Sequence, residues 1–158
     1  MVYEYKIRKG ENGVQLERGR CLKKEECVLN HPCLLFEAVK EWYSTDSLPN
    51  EYVFAIALSS ACGVLGVSVL SVGSVNEACV SPMQVLQFAL LCNAPLIALA
   101  HNHPSGVTNP SKVDLRLTER IDEACKLVGI ELADHVIIGK NTYWSWKETK
   151  GYGGCRTK

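Results

Sequence analysis

Hydrophobic and polar positions predict strands in several separate stretches of the chain. Two apolar runs rich in β-branched residues, Tyr52–Leu58 and Val64–Val72, have the pattern of adjacent buried strands. A shorter apolar run over residues 96–100 predicts a third buried strand. Residues 136–138 and 142–146 flank a Gly-Lys-Asn turn, and they predict a closing hairpin.

Helical periodicity occurs in three other stretches. Pro32 can occupy the first turn of a helix whose apolar residues recur at helical spacing up to Trp42. Pro82 opens a second predicted helix, which continues over residues 83–91. The longest helix is predicted over residues 111–128, where apolar residues lie on one face. Strands and helices therefore alternate along the chain, which indicates the mixed α/β class.

The order of these elements divides the chain into three regions. Residues 1–30 contain a predicted exposed hairpin, which turns at residues 10–13, followed by a charged link. Residues 31–147 hold the alternating helices and strands, and they are interpreted as one domain. Residues 148–158 are rich in glycine and charge, and they are predicted to form a flexible tail.

Charge is balanced over the whole chain but almost absent from its centre. Lys plus Arg and Asp plus Glu number 17 each, so the net charge gives no support to nucleic-acid binding. Between Tyr52 and Ser111, Glu77 is the one Asp, Glu, Lys or Arg residue, which predicts that this stretch forms the core. Residues 52–76 are long enough to span a bilayer, but serines and glycines interrupt them, which favours two strands of a soluble protein without a membrane span.

Eight cysteines raise the question of disulfides or of a cysteine-ligated metal. No two of them have the C-x-x-C spacing of a zinc ribbon or a thioredoxin-like site. The first ten residues lack the charged, apolar and small-residue regions of a secretory signal. The sequence therefore predicts a cytoplasmic protein whose thiols are reduced and mostly packed as small hydrophobic side chains.

The candidate chemistry lies where the run over residues 96–100 ends. His101 and His103 are two residues apart, so in a strand both imidazoles point to the same side. After a short loop, the predicted long helix begins with a carboxylate at Asp114. Two histidines and one aspartate give zinc three protein ligands and leave a fourth position for water, which is typical of a catalytic site. Ser111 and Asp114 also have the spacing of a helix capping box, a role compatible with ligation.

Other families with a His-x-His pattern match less well. Metallo-β-lactamase-like enzymes require Asp and His at the positions of Ser105 and Gly106. Amidohydrolases require a barrel of about 250 residues. The letters HNH at residues 101–103 do not indicate an HNH nuclease, because those enzymes carry the three residues far apart along a ββα unit.

Two longer motifs make the pattern specific. The segments HNHPSGVTNPSKVDLRLTERI and LVGIELADHVIIGKNTYWSW closely resemble the RadC family, a bacterial branch of the JAMM/MPN metalloproteases. The resemblance extends from about Leu34 to Trp146, within the domain assigned to residues 31–147. It implies an α/β fold of the MPN (JAB/JAMM) type, a mixed β-sheet flanked by helices with the layering of cytidine deaminases.

The same resemblance implies roles for individual residues. One zinc ion per chain would be held by His101, His103 and Asp114. Glu51, in the segment NEYVFAIALS, would be the general base that accepts a proton from the attacking water and passes it to the leaving amine. The hydroxyl of Ser111 would form a hydrogen bond with the developing oxyanion or with the zinc-bound water. Glu51 and Ser111 are therefore the predicted catalytic residues.

These roles predict a zinc-dependent hydrolase, a metallopeptidase or isopeptidase that acts on a peptide or protein. The alternative is a DNA-repair or mobile-element factor of the RadC type that acts with nucleic acid. Residues 1–30 lack the helix-hairpin-helix pattern of longer family members, which gives that alternative little support.

Asp134 and His135 also match a family position, and they are interpreted as supporting the ligands or the packing rather than binding metal. Where the family usually has Pro-Arg-Glu, residues 82–84 are Pro-Met-Gln, which predicts different substrate recognition.

Overall fold

The computed structural model describes residues 1–73 and 80–151 of the chain. These residues form a seven-stranded mixed sheet with helices on both faces. The strands are β1 (Val2–Gly10), β2 (Gly13–Lys23), β3 (Tyr52–Leu58), β4 (Val64–Val72), β5 (Leu96–Asn102), β6 (Glu131–Ile138) and β7 (Tyr143–Ser145). The helices are α1 (Pro32–Tyr43), α2 (Pro82–Leu91), α3 (Lys112–Leu127) and α4 (Trp146–Thr149), with a 3₁₀ turn at Thr45–Ser47. The fold is therefore the mixed, helix-flanked sheet that the RadC resemblance implies.

The strand order is β2-β1-β4-β3-β5-β6-β7, with β5 near the centre of the described sheet. Strand β3 runs antiparallel to both β4 and β5, whereas β5 and β6 are parallel. Two parallel neighbours need a long crossover, and α3 supplies it between the end of β5 and the start of β6. The N-terminus of α3 consequently returns the chain to the edge of the sheet where β5 ends.

Two hydrophobic cores cover the two faces of the sheet. On one face, α1 packs Leu35, Val39 and Trp42 against alternate residues of β3 that include Phe54 and Ile56. On the other face, α2 and α3 pack against the opposite set of strand residues, and their core includes Phe88, Leu99, Ile121 and Cys125. Because β3 and β5 are covered on both faces, their sequences are almost continuously apolar, as the uncharged centre of the chain predicted.

Most predicted elements are confirmed, and two strands are longer than their apolar runs. Helices α1 and α2 and strands β3 and β4 lie where the sequence places them. Strand β5 continues through His101 and Asn102, because both residues are buried and pair with neighbouring strands. Strand β6 begins at Glu131 rather than at Val136. Its early part contains buried polar side chains, which the apolar pattern does not reveal.

The predicted N-terminal hairpin is present as β1 and β2, and it extends the same sheet. Strand β1 pairs in parallel with β4 through Glu4 and Val67, and the Val2 side chain is buried in the first core. None of the helices in residues 1–73 and 80–151 is long and apolar enough to cross a membrane.

The first residues of the predicted tail belong to a short helix. Glu148 and Thr149 belong to α4, whose N-cap is Ser145. The Glu148 N–H donates to Ser145 Oγ at 3.1 Å, and the Lys147 N–H donates to Asp134 Oδ1 at 2.9 Å. The first bond caps α4 and the second attaches it to β6. The flexibility of residues 148–158 stays a prediction. Residues 152–158 lie outside the part that the structure describes.

Asp134 is the buried carboxylate that holds β6, β7 and α4 together. Its two oxygens accept hydrogen bonds from the His135 N–H, the Lys147 N–H and the Ser145 hydroxyl at 2.8, 2.9 and 2.8 Å. Burial raises the pKa of the Asp134 carboxyl, and the three hydrogen bonds oppose that rise. Asp134 therefore has a structural role that is separate from metal binding.

Replacing Asp134 with alanine is expected to lower the free energy of unfolding by about 2–4 kcal/mol, because three buried donors lose their acceptor. Asp134→Asn keeps one acceptor oxygen and the same shape, so its loss should be smaller. Urea unfolding of the three proteins measures the difference. An asparagine variant as unstable as the alanine variant would show that the missing acceptor is not the cause.

Candidate metal centre

Four predicted site residues meet at one edge of the sheet because of its strand order. Strands β3 and β5 are antiparallel, and Val53 pairs with His101, so the beginning of β3 lies beside the end of β5. Glu51 directly precedes β3, while His103 directly follows β5. Helix α3 begins at the same edge and carries Asp114 in its first turn. The end of a strand next to the start of a helix is where sites occur in α/β sheets.

Three donor atoms from His101, His103 and Asp114 converge on one point. The Nε2 atoms of the two histidines are 3.0 Å apart. Asp114 Oδ1 lies 3.5 Å from His101 Nε2, and Asp114 Oδ2 lies 3.8 Å from His103 Nε2. Ligands bound to zinc at its usual bond lengths are about 3.3 Å apart in a tetrahedron. The two nitrogen donors and the oxygen donor thus fit a zinc ion in type and in spacing, and they form the triad of the described residues that could hold a metal ion.

A backbone carbonyl in the following loop fixes the orientation of His103. Its Nδ1 lies 2.6 Å from the Val107 oxygen, which can only accept, so Nδ1 carries the proton. In the neutral form of this ring, Nε2 is therefore bare, and it faces the other two donors. A backbone partner of this kind is what orients metal-ligating histidines. A Cβ on Gly139 would lie 2.5 Å from the Gly106 oxygen, so glycine there lets this loop lie against the end of β6.

His101 is buried and bonded to a second buried histidine. Its Nδ1 lies 2.8 Å from Nε2 of His135, whose own Nδ1 lies 2.6 Å from the Thr118 hydroxyl. Burial, reinforced by the neighbouring His135, lowers the pKa of His101 well below its usual value. Burial, reinforced by His103, lowers the pKa of His135 to about 4. Both rings are therefore neutral near pH 7, which is the state in which imidazole binds metal.

The Asp114 carboxylate is oriented by the N-terminus of its own helix. Ser111 is the N-cap of α3, and its N–H donates to Asp114 Oδ2 at 2.7 Å. The Asp114 N–H donates in return to Ser111 Oγ at 3.1 Å, which completes the capping box. The hydroxyl of Ser111 accepts in this pair, so its own proton can be donated elsewhere. The structure thus shows that capping and convergence with the histidines are compatible for Asp114.

Glu51 lies beside the triad on a firmly held stretch of backbone. Its Oε1 is 3.9 Å from His103 Nε2, and its side chain is 14% exposed. Asn102 Oδ1 accepts from the Tyr52 N–H at 2.9 Å, and Asn102 Nδ2 donates to the Asn50 oxygen at 3.0 Å. These two bonds hold the backbone on both sides of Glu51. Asn102 is therefore a supporting residue of the site.

The site has an open side next to His103. A cleft of about 240 Å³ lies there, between the 3₁₀ turn, the loop after His103 and the end of β6. Its lining consists of Thr45, Asp46, His103, Pro104, Ser105, Gly106, Ile138, Gly139 and Lys140. His103 is the triad residue that lines this cleft, so a substrate group bound there would lie beside His103.

Three supporting groups of the site were not predicted from the sequence. Asn102 could have been noticed, because the residue between two histidines of a strand points to the opposite face. Thr118 lies four residues after Asp114, so both residues share one face of α3. The Val107 carbonyl carries no sequence signal, since its position depends on the path of the loop. The sequence predicted one shared supporting role for Asp134 and His135. In the structure, His135 is bonded to His101 of the triad, whereas Asp134 is bonded to Ser145.

Comparison with known proteins identifies the family. A UPF0758 protein of Streptococcus suis is 33% identical over 135 residues, which cover 84% of this chain and 55% of that protein. A UPF0758 protein of Desulfitobacterium hafniense is 44% identical over 121 residues, or 77% of this chain and 52% of its own length. The chain thus spans about half the length of these curated relatives. The family model of the RadC-like JAB domain matches residues 30–152, and the chain belongs to this family.

Proposed function

We propose that this protein is a zinc-dependent hydrolase of the JAMM type that cleaves an amide bond in a peptide or protein. The observation that carries the proposal is the convergence of His101, His103 and Asp114 with Glu51 at 3.9 Å from one of them. Membership of the RadC-like JAB domain family supports the hydrolytic class, because that superfamily is commonly hydrolytic. The choice of an amide substrate rests on this kinship alone.

The donor set favours a catalytic centre over a structural one. Structural zinc sites have four protein ligands, commonly with cysteine, whereas catalytic sites have three and keep one position open. Here the triad contains two imidazoles and one carboxylate, and a cleft opens beside His103. A zinc ion held by these residues supplies a Lewis acid that activates water near neutral pH.

Glu51 is suited to proton transfer in this reaction. Its carboxylate lies next to the triad, in a partly shielded position. A carboxylate there can accept the proton of the attacking water and then deliver it to the nitrogen of the leaving amine. Because the backbone around Glu51 is held by Asn102, the carboxylate is positioned before the substrate arrives.

Ser111 offers a hydrogen-bond donor at the N-terminus of α3. Replacing it with alanine is expected to lower kcat by about 10²–10³-fold, the usual cost of losing an oxyanion donor. The same change should also destabilise the protein by about 1 kcal/mol, because the helix loses its cap. Glycine is a tolerable N-cap without a hydroxyl, so Ser111→Gly separates the two effects. A Ser111→Gly enzyme with full activity would exclude the oxyanion role.

The direct test of the proposed function is peptide-library profiling. Zinc-loaded protein is incubated with a diverse peptide mixture and with isopeptide-linked substrates, and the products are identified by mass spectrometry. We expect cleavage at a defined set of sites that disappears when zinc is chelated and when Glu51 is replaced by glutamine. Zinc-loaded protein that cleaves none of these substrates, or a Glu51→Gln protein that cleaves them equally well, would contradict the proposal.

The described surface does not favour the nucleic-acid alternative. Lys126, Lys147 and Lys150 line one cleft, but Asp122 and Glu131 line the same cleft. Mixed charge of this kind does not form the positive surface that phosphate contacts require. This cleft therefore gives the nucleic-acid alternative no support.

A further inference from the structure

A chain of buried hydrogen bonds joins two members of the metal triad behind the site. It runs from His101 Nδ1 to His135 Nε2 at 2.8 Å, and from His135 Nδ1 to the Thr118 hydroxyl at 2.6 Å. The Thr118 hydroxyl in turn lies 2.7 Å from the backbone oxygen of Asp114. His101, His135 and Thr118 are 3%, 0% and 0% exposed, so water does not compete for these bonds. This chain of hydrogen bonds begins at His101 and ends at Asp114, which are both members of the triad.

The direction of every bond in this chain follows from its last acceptor. The Asp114 carbonyl oxygen has no proton, so the Thr118 hydroxyl must donate to it. The Thr118 oxygen can then only accept from His135, whose Nδ1 must carry the proton. Since neutral imidazole has one N–H, His135 Nε2 is bare and accepts from His101 Nδ1. His101 is left with a bare Nε2, the atom that faces His103 and Asp114.

We infer that His135 and Thr118 are positioning residues that set the tautomer of His101, with the Asp114 carbonyl as the fixed end of the chain. The inference rests on the proposed metal site for its purpose. A histidine in the other tautomer would point an N–H at the metal position and could not bind there. The Asp114 carbonyl of α3 thus determines, through Thr118 and His135, which nitrogen of His101 is free.

The chain also couples the two ligands mechanically. Asp114 supplies a carboxylate oxygen at the front of the site and a backbone oxygen at its back. His101 is bonded to the backbone oxygen through His135 and Thr118, so α3 and β5 cannot shift relative to each other without breaking a buried bond. His103 has a separate partner in Val107, and it lies outside this chain.

Thr118 offers the sharpest variants for a test. Valine is β-branched like threonine but has no hydroxyl, so Thr118→Val removes the acceptor of His135 and keeps the branched shape of the side chain. Serine retains the hydroxyl, so Thr118→Ser is the matched control. His135→Phe provides a second break in the chain, at the other side of the same bond.

Two measurements read the effect without an activity assay. Long-range ¹H–¹⁵N NMR of the metal-free wild-type protein should show His101 and His135 as Nδ1–H tautomers. Competition with a chromogenic chelator should show zinc binding 10–100-fold weaker in Thr118→Val and His135→Phe, a typical cost of losing a ligand's supporting partner. Thr118→Ser should restore both the tautomers and the affinity to within threefold of the wild-type protein.

The wild-type spectrum alone can overturn the inference, even when a variant does not fold. An Nε2–H tautomer of His101 in the metal-free protein would contradict it. So would a folded Thr118→Val protein that keeps the wild-type tautomers and binds zinc within threefold of the wild-type affinity. If the tautomers and affinities agree but no peptide is cleaved, the proposed function fails and the positioning role stands.

Discussion

Zinc binding is expected to weaken by more than about 100-fold when His103 or Asp114 is replaced by alanine. Loss of the group that supports a ligand typically weakens metal binding by about 10–100-fold, and loss of the ligand itself should weaken it more. Each residue supplies one of three converging donors, and no other His, Cys, Asp or Glu of the described residues completes a comparable set. Metal analysis should give one zinc per chain in the wild-type protein and almost none in either variant. All hydrolytic activity should disappear with the metal.

Matched controls for these variants lie elsewhere in the chain. His31 is the N-cap of α1, and asparagine can replace it there as a cap. Asp122 is on α3, as Asp114 is, but it is paired with Lys126. His31→Asn and Asp122→Asn should keep one zinc per chain. Zinc bound at full stoichiometry and affinity by both His103→Ala and Asp114→Ala would contradict the assignment of the triad as the zinc ligands.

Replacing Glu51 with glutamine is expected to lower kcat by about 10²–10⁴-fold, the usual contribution of general acid–base catalysis. Glutamine has nearly the shape of glutamate but cannot accept a proton from water. Since Glu51 is outside the triad, zinc affinity should change little. The rate is measured on a peptide identified by library profiling, and the zinc content of the same preparation is measured beside it.

Glu41 on α1 provides the control, because it is an acidic residue exposed to solvent. Glu41→Gln should retain wild-type activity and zinc content. Glu51→Gln with wild-type kcat would remove Glu51 from the mechanism while leaving the metal centre intact. Loss of zinc in Glu51→Gln would instead make Glu51 a fourth ligand, which contradicts its role as a base.

The sequence predicts the helices and the central strands because their signals are local. Pro32 and Pro82 mark two helix starts. The uncharged run marks β3, which is buried on both faces, and β4, which is buried at its centre. The early part of β6 was not predicted, because Asp134 and His135 interrupt its apolar pattern. Their burial is stabilised by partners distant in sequence, Ser145 and Thr118.

The metal triad is predictable for a similar reason. His101 and His103 share one side of a strand, and Asp114 begins the next helix, so a short segment contains all three donors. Glu51 differs, because only the antiparallel pairing of β3 with β5 brings it to the same edge. Without the RadC resemblance, spacing alone would not select Glu51 from the other acids.

The groups that orient the triad depend on tertiary structure. The Asn102 side chain is hydrogen-bonded to the backbone of residues 50 and 52. The Val107 carbonyl accepts a hydrogen bond from His103 Nδ1. Thr118 and His135 act through a bond between α3 and β6. None of these contacts follows from periodicity or from spacing. The contacts of Val107, Thr118 and His135 decide which nitrogen of His101 and of His103 is free, and so whether three nearby side chains can act as one site.

We expect zinc to be bound by two imidazoles and one carboxylate. Zinc K-edge X-ray absorption of the protein loaded with one equivalent of zinc tests it most directly. We predict nitrogen and oxygen ligands alone at about 2.0–2.2 Å, with the scattering pattern of two imidazoles, and a changed spectrum for His103→Ala. The eight cysteines of the chain are the natural competitors. Sulfur scattering at about 2.3 Å, unchanged in His103→Ala, would place the metal on cysteines and contradict the claim.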